Sequence, residues 1–368
     1  MSSSQLFVGL MTGTSLDGID AVLADFSSAR HVLRGHVHHE LAAELREAML
    51  RLNHADGDEL HRAAVAGQHL ARAYAAAVGD LLMSAEVDAD AVRAIGAHGQ
   101  TVRHRPEAGY TIQVNAPAML AELAGIDVVA DFRSRDIAAG GQGAPLVPAF
   151  HAAVFRGEAA RAVVNIGGIS NLTGLPALGI ESPVLGFDCG PGNVLMDAWA
   201  LEHLGEPVDR DGRWAAGGQV HAGLLASLLA EPYFSLAPPK STGRDLFGRD
   251  WLLARLAAFR VEPRDVQATL AQLTATVIAD AIERYFAEAA DVVVCGGGAF
   301  NRTLMRRLAA TCAPRPVLAS EALGVAADQV EALAFAWLAR EFVAGRPSNL
   351  PEVTGARGKR RLGALYPH

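Results

Sequence analysis

Two carboxylates, Asp188 and Asp197, interrupt the apolar run VLGFDCGPGNVLMDAW (184–199). Val184, Leu185 and Phe187 predict a buried strand that ends at Asp188; Gly190, Pro191 and Gly192 then break the chain and a helical pattern follows. A carboxylate at the end of a core strand is costly to desolvate unless it has a partner or a task. The task that fits Asp188 is general-base chemistry on a hydroxyl or water, in space opened by the Gly-Pro-Gly turn. Asp197 falls on the following helix and is assigned to structure.

Three glycine turns accompany this carboxylate. The first lies in GLMTGTSLDGIDAVLAD (9–25), where Gly13, Thr14, Ser15, Leu16, Asp17, Gly18, Ile19 and Asp20 form a strand-connecting tip rich in peptide N–H groups and hydroxyls. Such nests take phosphate, and Asp17 and Asp20 suit a divalent cation, directly or through water. The second is NIGGISNLT (165–173), where Gly167 and Gly168 let a ligand approach the backbone. The third is CGGGAFN (295–301), where Gly296, Gly297 and Gly298 lead from a buried strand into a helix that starts near Asn301. Walker A, the dinucleotide fingerprint and G-x-S-x-G are all absent; the last would need glycine where Asp17 stands.

Polar residues also end apolar strands in HGQTVRHRP (98–106) and DFRSRD (131–136). His98, Gln100, Thr101, Arg133 and Asp136 suit a polar, anionic small molecule. His36, His38, His39, His54 and His61 show no zinc-ligand spacing and are assigned to the surface. The basic run RGKRR (357–361) is expected to be a solvated face. Phosphate turns, a cleft carboxylate and no covalent nucleophile describe a phosphotransferase, whose chemistry rests on positioning, charge stabilisation and a base.

The elements that must position these groups follow from hydrophobic period. LFVGLM (6–11), IDAVLADF (19–26) and HVLRGHVHH (31–39) predict a β-meander, and residues 57–84 a long helix. VRAIGAHGQT (92–101), YTIQV (110–114) and GIDVVAD (125–131) predict further strands. DIAAGGQGAPLVPAF (136–150) reads as a crossover or cleft loop. ARAVVNI and ISNLTGL (160–166, 169–175) restart the pattern as a second hairpin. Helices are predicted over 193–204, 219–230, 246–259, 265–289 and 328–345, with a strand at RLGALY (361–366). The expected architecture is two α/β lobes around a cleft, residues 1–135 and 136–345, with the tail 346–368 free to fold back onto the first.

Composition agrees. The chain has 368 residues, 51% of them hydrophobic, enough for two cores, and a net charge of −8 that disfavours nucleic acid or anionic membrane as partners. Three cysteines without Cys-x-x-Cys spacing fit a reducing compartment. The N-terminus lacks signal-peptide character and no run is long enough to span a membrane, so a cytoplasmic protein is expected.

Taken in order, GLMTGTSLDGIDAVLAD, HGQTVRH, DFRSRDIAAGGQGAPLVP, NIGGISNLT, GFDCGPGNVLMD, STGRDLFG and CGGGAFN resemble the anhydro-N-acetylmuramic acid kinase family over essentially the whole chain. The resemblance implies the two-lobed sugar kinase/actin/heat-shock ATPase-like α/β fold, with duplicated ribonuclease H-like domains and a central cleft. It implies that ATP and Mg²⁺ are used, that the 1,6-anhydro bridge of the sugar is opened by water, and that O6 is phosphorylated. Asp188 is then the base. The 9–20 and 165–173 turns hold the phosphates and Mg²⁺, and Gly296–Gly298 lie along the adenosine. His98, Gln100, Thr101, Arg133 and Asp136 face the sugar, Arg133 meeting its lactyl carboxylate. A homodimer is the implied assembly. One departure is Cys189, where the family pattern carries threonine. Two other readings are a conventional sugar kinase that opens no ring and a non-catalytic actin- or chaperone-like nucleotide switch.

Overall fold

The computed structural model describes residues 5–368 apart from 14, 15, 17, 29, 30, 55, 56 and 244. The chain divides into two compact units, Met1–Phe150 with Gln329–His368, and His151–Asp328.

In the first unit, β1 (Leu6–Thr12), β2 (Gly18–Asp25) and β3 (Val32–Glu40) form an antiparallel meander. β4 (Val92–Ala97) pairs parallel with β1. β5 (Gln100–Arg105) and β6 (Tyr110–Val114) form a separate hairpin, and β7 (Val128–Ala130) pairs parallel with β4. In the second unit, β8 (Arg161–Ile166), β9 (Ile169–Leu175) and β10 (Leu185–Pro191) repeat the meander. β11 (Asp291–Cys295) pairs parallel with β8, and β12 (Val317–Ala319) with β11. β13 (Ala364–Tyr366) returns to the first unit as an antiparallel edge on β7.

The sheet orders are β13-β7-β4-β1-β2-β3 and β10-β9-β8-β11-β12. Leaving out β13, each unit runs meander strands three, two, one, then two parallel strands. The two hairpins anticipated from sequence are therefore topological counterparts.

Both faces of β1 are covered, so its side chains are apolar without alternation. On one face Val8 and Leu10 meet Leu70, Tyr74 and Leu81 of the helix Glu59–Ser84. The other face receives the helix Val330–Val343, which is buried nearly all round. Glycine permits this second approach: a Cβ on Gly9 would lie 1.9 Å from the Ala332 carbonyl oxygen, and one on Gly96 2.0 Å from that of Phe335. In the second unit the helix Pro263–Tyr285 takes the corresponding place, burying Leu270, Leu273, Val277, Ile278 and Ile282 with Leu172 and Phe187 of the sheet.

Each unit also buries a neutral histidine. His151 is fully buried, its Nδ1 is 2.9 Å from Thr173 Oγ1, and burial pushes its pKa down to about 3. Burial, reinforced by the neighbouring Arg133 guanidinium, holds His98 well below the ordinary imidazole range. An unfolded chain takes up these protons near pH 6.5, whereas the folded one refuses them. Their contribution is therefore complete above about pH 6.5 and is lost as pH falls, by about 1.4 kcal/mol per pH unit per histidine. His151→Asn is expected to flatten the fall in melting temperature between about pH 6.5 and about pH 4. An unchanged slope in thermal melts would exclude His151 as a source of acid sensitivity.

Candidate active site

The second unit aligns four residues in one row across its sheet. Cys295 pairs with Asn165, Asn165 with Asn171, and Asn171 with Asp188. Residues directly opposite one another share a face, and adjacent strands lie about 4.8 Å apart. Asp188 thus stands about 10 Å from Asn165, at the sheet end where β8 and β11 finish and where open α/β sheets bind ligands.

Register changes just beyond Asp188. Gly190 pairs with Ser170, leaving Cys189 as the extra residue of a β-bulge. A bulge bends the strand and re-aims its side chains. The half-buried Asp188 carboxylate accepts from Asn171 Nδ2 at 2.9 Å on Oδ1 and from the Thr242 N–H at 3.0 Å on Oδ2. Its peptide is anchored as well: its N–H donates to Lys240 O (3.2 Å) and its carbonyl accepts from Tyr233 OH (2.8 Å). Donors on both oxygens fix the rotamer of the carboxylate. Lys240 Nζ donates to Tyr233 O (3.2 Å) and sits 4.8 Å from the centre of the Tyr233 ring, binding the 233–242 loop into the same assembly.

Cys189 is buried with the apolar core, and burial pushes its thiol pKa up. A buried thiol held in its neutral form is not a thiolate nucleophile. The Gly-Pro-Gly turn also has a role other than opening space. A Cβ on Gly192 would come within 2.3 Å of Gly167 O. Glycine there lets the 166–169 turn dock on the start of the helix Val194–Leu204, where Asn193 N donates to Gly167 O and Gly192 N to Gly168 O, both at 2.8 Å.

The triple glycine packs on the same turn. A Cβ on Gly296 would fall 2.2 Å from Asn165 Oδ1, and one on Gly298 2.4 Å from Ile166 Cγ2. Gly297 is exposed between them, with only Asn193 Nδ2 within 4 Å of its Cβ position, at 3.7 Å. Asn193 Nδ2 donates to Ile166 O at 3.2 Å. Gly167, Gly168, Gly297 and Asn193 therefore make one small-residue cradle on the sheet end that carries Asp188. Asn301, expected among the nucleotide contacts, is instead a helix cap: its Oδ1 accepts the Leu304 N–H at 2.9 Å and starts the helix Arg302–Cys312.

In the first unit, Thr14, Ser15 and Asp17 lie outside the described residues. Gly13 O accepts from Leu16 N at 3.1 Å, while Leu16 and Ile19 point into the core, so this turn offers a ligand only backbone at those two positions. Gly18 opens β2 with the His38 ring packed against it, 2.4 Å from where a Cβ would stand. Asp20 pairs across strands with His38, and its Oδ1 lies 2.8 Å from His38 Nδ1 and 3.3 Å from His36 Nε2. The register turns Asp20 toward these histidines. It also gives His36 and His38 a partner the sequence did not suggest. Among the described residues no group of three His, Cys, Asp or Glu side chains is arranged to hold a metal ion.

His98 and Arg133 do meet, with Arg133 Nη2 3.0 Å from His98 Nε2 and Arg133 Nη1 donating to Gly143 O at 2.9 Å. Gln100 is buried beside them in sequence; its Nε2 donates to Thr101 O at 3.4 Å and its Oε1 has no partner. Thr101 Oγ1 accepts from Gln113 Nε2 across the β5–β6 hairpin at 3.0 Å. Asp136 is completely buried and does not face a ligand. Its carboxylate accepts from Gly143 N, Asn349 Nδ2 and Thr354 Oγ1, each at 2.8 Å. These bonds tie the 139–146 loop to the C-terminal segment, a satisfied buried charge of the kind a core tolerates.

Sequence reasoning passed over Asn165, Asn171, Asn193, Tyr233, Lys240 and Thr242. The asparagines stand inside or beside motifs already singled out, and hairpin register would have placed Asn171 near the β8 end. Tyr233 lies in the short helix Pro232–Ser235 and Lys240 in a loop with no periodic signal, while Thr242 stands inside the quoted STGRDLFG without being singled out.

With this geometry in place, comparison with known proteins is informative. A family model described as anhydro-N-acetylmuramic acid kinase matches residues 5–368. A Bordetella parapertussis protein of that name is 59% identical, covering 99% of this chain and 96% of its own. Another, from Albidiferax ferrireducens, is 54% identical over 99% of this chain and all of its own. Among solved structures, component A of the (R)-2-hydroxyglutaryl-CoA dehydratase of Acidaminococcus fermentans superposes with a TM-score of 0.51 at 14% identity, covering 93% of this chain and 100% of that one. That likeness concerns the fold alone.

Proposed function

The chain belongs to the anhydro-N-acetylmuramic acid kinase family, and we propose that it opens 1,6-anhydro-N-acetylmuramic acid with water while phosphorylating the freed O6. Water adds to C1, the C1–O6 bond breaks, and O6 takes the γ-phosphoryl group of ATP. The products are N-acetylmuramic acid 6-phosphate and ADP, with one proton released, a step in recycling cell-wall fragments.

The observation that carries this reading is the Asp188 carboxylate, fixed by Asn171 and Thr242 on the sheet end that also bears the cradle of Gly167, Gly168, Gly297 and Asn193. Asp188 takes the proton from the attacking water. Its two donors fix its orientation, and the bulge at Cys189 sets its direction. The cradle suits nucleotide because glycine lets phosphate oxygens approach peptide N–H groups closely. Magnesium enters with the substrate as Mg–ATP, where it neutralises charge on the phosphate oxygens; no step is assigned to Asp20. Arg133 remains the residue proposed for the lactyl carboxylate, since a guanidinium pairs with a carboxylate through two parallel N–H groups. The reading also makes the chain a cytoplasmic homodimer. Three cysteines outside any disulfide and the lack, among the described residues, of a helix long and apolar enough to cross a membrane are compatible with it.

Mass spectrometry of the product in ¹⁸O-labelled water tests the proposal. Protein, Mg–ATP and the anhydro-sugar should yield a product heavier by one phosphoryl group plus one water, with the label at C1. A phosphorylated product that has gained no water would identify a conventional sugar kinase. Intact sugar and ATP would overturn the substrate assignment.

A further inference from the structure

The basic run RGKRR (357–361) keeps Arg357, Lys359 and Arg361 exposed, as expected of a solvated face, while its backbone is tied down. Arg357 N donates to Ala139 O at 2.8 Å, Ser348 N to Arg360 O at 2.9 Å, and Arg360 N to Asn349 Oδ1 at 2.6 Å. Asn349 in turn holds the fully buried Asp136, which sits in the short helix Ser134–Ala138 beside Arg135. β13 then fastens the chain to β7. A buried carboxylate network thus presets the positions of exposed cations.

These cations line one open cleft of about 520 Å³ in the first unit, with Arg135, Lys359, Arg360 and Arg361 around Phe342 and Gly363. No carboxylate lines it among the described residues. Of the acids adjacent in sequence to the lining residues, Asp136 is buried in its own hydrogen-bond network and Glu341 is taken by Arg340 (2.9 Å) and Arg346 (2.6 Å). The Arg361 guanidinium lies 3.8 Å from the centre of the Phe342 ring. Stacking uses the guanidinium face and leaves its in-plane N–H donors directed outward. Four cations gathered without counter-charge, on a chain whose net charge is −8, repel one another unless an anion joins them.

We propose that this cleft binds a small phosphorylated molecule. Arginine forks match phosphate oxygens in pairs, lysine adds a mobile point charge, and the volume falls in the range of small-ligand sites. The site is independent of the kinase reading, since none of its residues belongs to the Asp188 assembly.

Calorimetric titration of the full-length chain with inorganic pyrophosphate at low ionic strength tests the inference. Because the glycine cradle is expected to take phosphate too, the decisive quantity is stoichiometry. Wild type should bind one more equivalent than the triple variant R135Q/K359Q/R361Q, and the extra binding should weaken as salt approaches about 0.15 M. The single variant R361Q, milder for folding, should weaken that equivalent about tenfold, the loss of one charge-assisted contact. Equal stoichiometry and affinity in wild type and both variants would overturn the proposal. Binding of a hexaglutamate peptide without any of pyrophosphate would also overturn it, making the cleft a docking face for acidic peptide.

Discussion

Asp188→Asn leaves a folded protein whose turnover falls about 10³-fold or more, within the range removed with a positioned general base. The amide cannot accept a proton from water at C1, so the loss belongs in kcat rather than in KM. Folding survives for a specific reason. The wild-type carboxylate faces two donors, Asn171 Nδ2 and Thr242 N. An amide at 188 keeps its oxygen toward Thr242 and turns its NH₂ toward position 171. Asn171 can then flip and accept with its own oxygen, which spares the about 1–3 kcal/mol cost of an unsatisfied buried donor. Steady-state kinetics with melting curves checks both parts. Turnover within about threefold of wild type would remove Asp188 from the role of base, since a positioned base is worth far more.

A large loss of stability is expected from Gly96→Ala. The added Cβ would stand 2.0 Å from Phe335 O and 2.7 Å from Phe335 C, both backbone atoms of the helix on β1 and β4. No side-chain rotamer relieves a clash with backbone, so helix and sheet must separate, and the packing lost extends to Ala336 and Ala339. Overpacking of this kind costs about 3 kcal/mol or more. In a unit of this size that lowers the melting temperature by about 6–12 °C. Gly79→Ala is the control: it lies in the helix Glu59–Ser84, its Cβ position has no neighbour within 4 Å, and alanine there should raise stability by up to about 1 kcal/mol. Equal melting temperatures for Gly96→Ala and wild type would mean that the helix does not rest on β4 as closely as described.

Much of this protein is legible in its sequence because local chemistry is written locally. Period-two and apolar runs marked the meander strands, and the helix over 57–84 emerges as Glu59–Ser84. Asp188 and the glycine turns announced themselves, because a charge in an apolar run and consecutive glycines are rare without cause. The tertiary structure decided what depends on partners distant in sequence. Asp136 looked like a ligand contact because a polar residue at a strand end is ambiguous until Asn349 and Thr354, more than two hundred residues later, consume its acceptors. Register places His36 and His38 beside Asp20, a pairing that residue spacing does not announce. RGKRR is the solvated face its sequence suggests, and only the fold shows that hydrogen bonds to Ala139 and Asn349 fix its backbone. Residue type and spacing set which groups are capable of chemistry. Hydrogen-bond satisfaction and strand register decide which of them remain available for it, and both are properties of the folded chain alone.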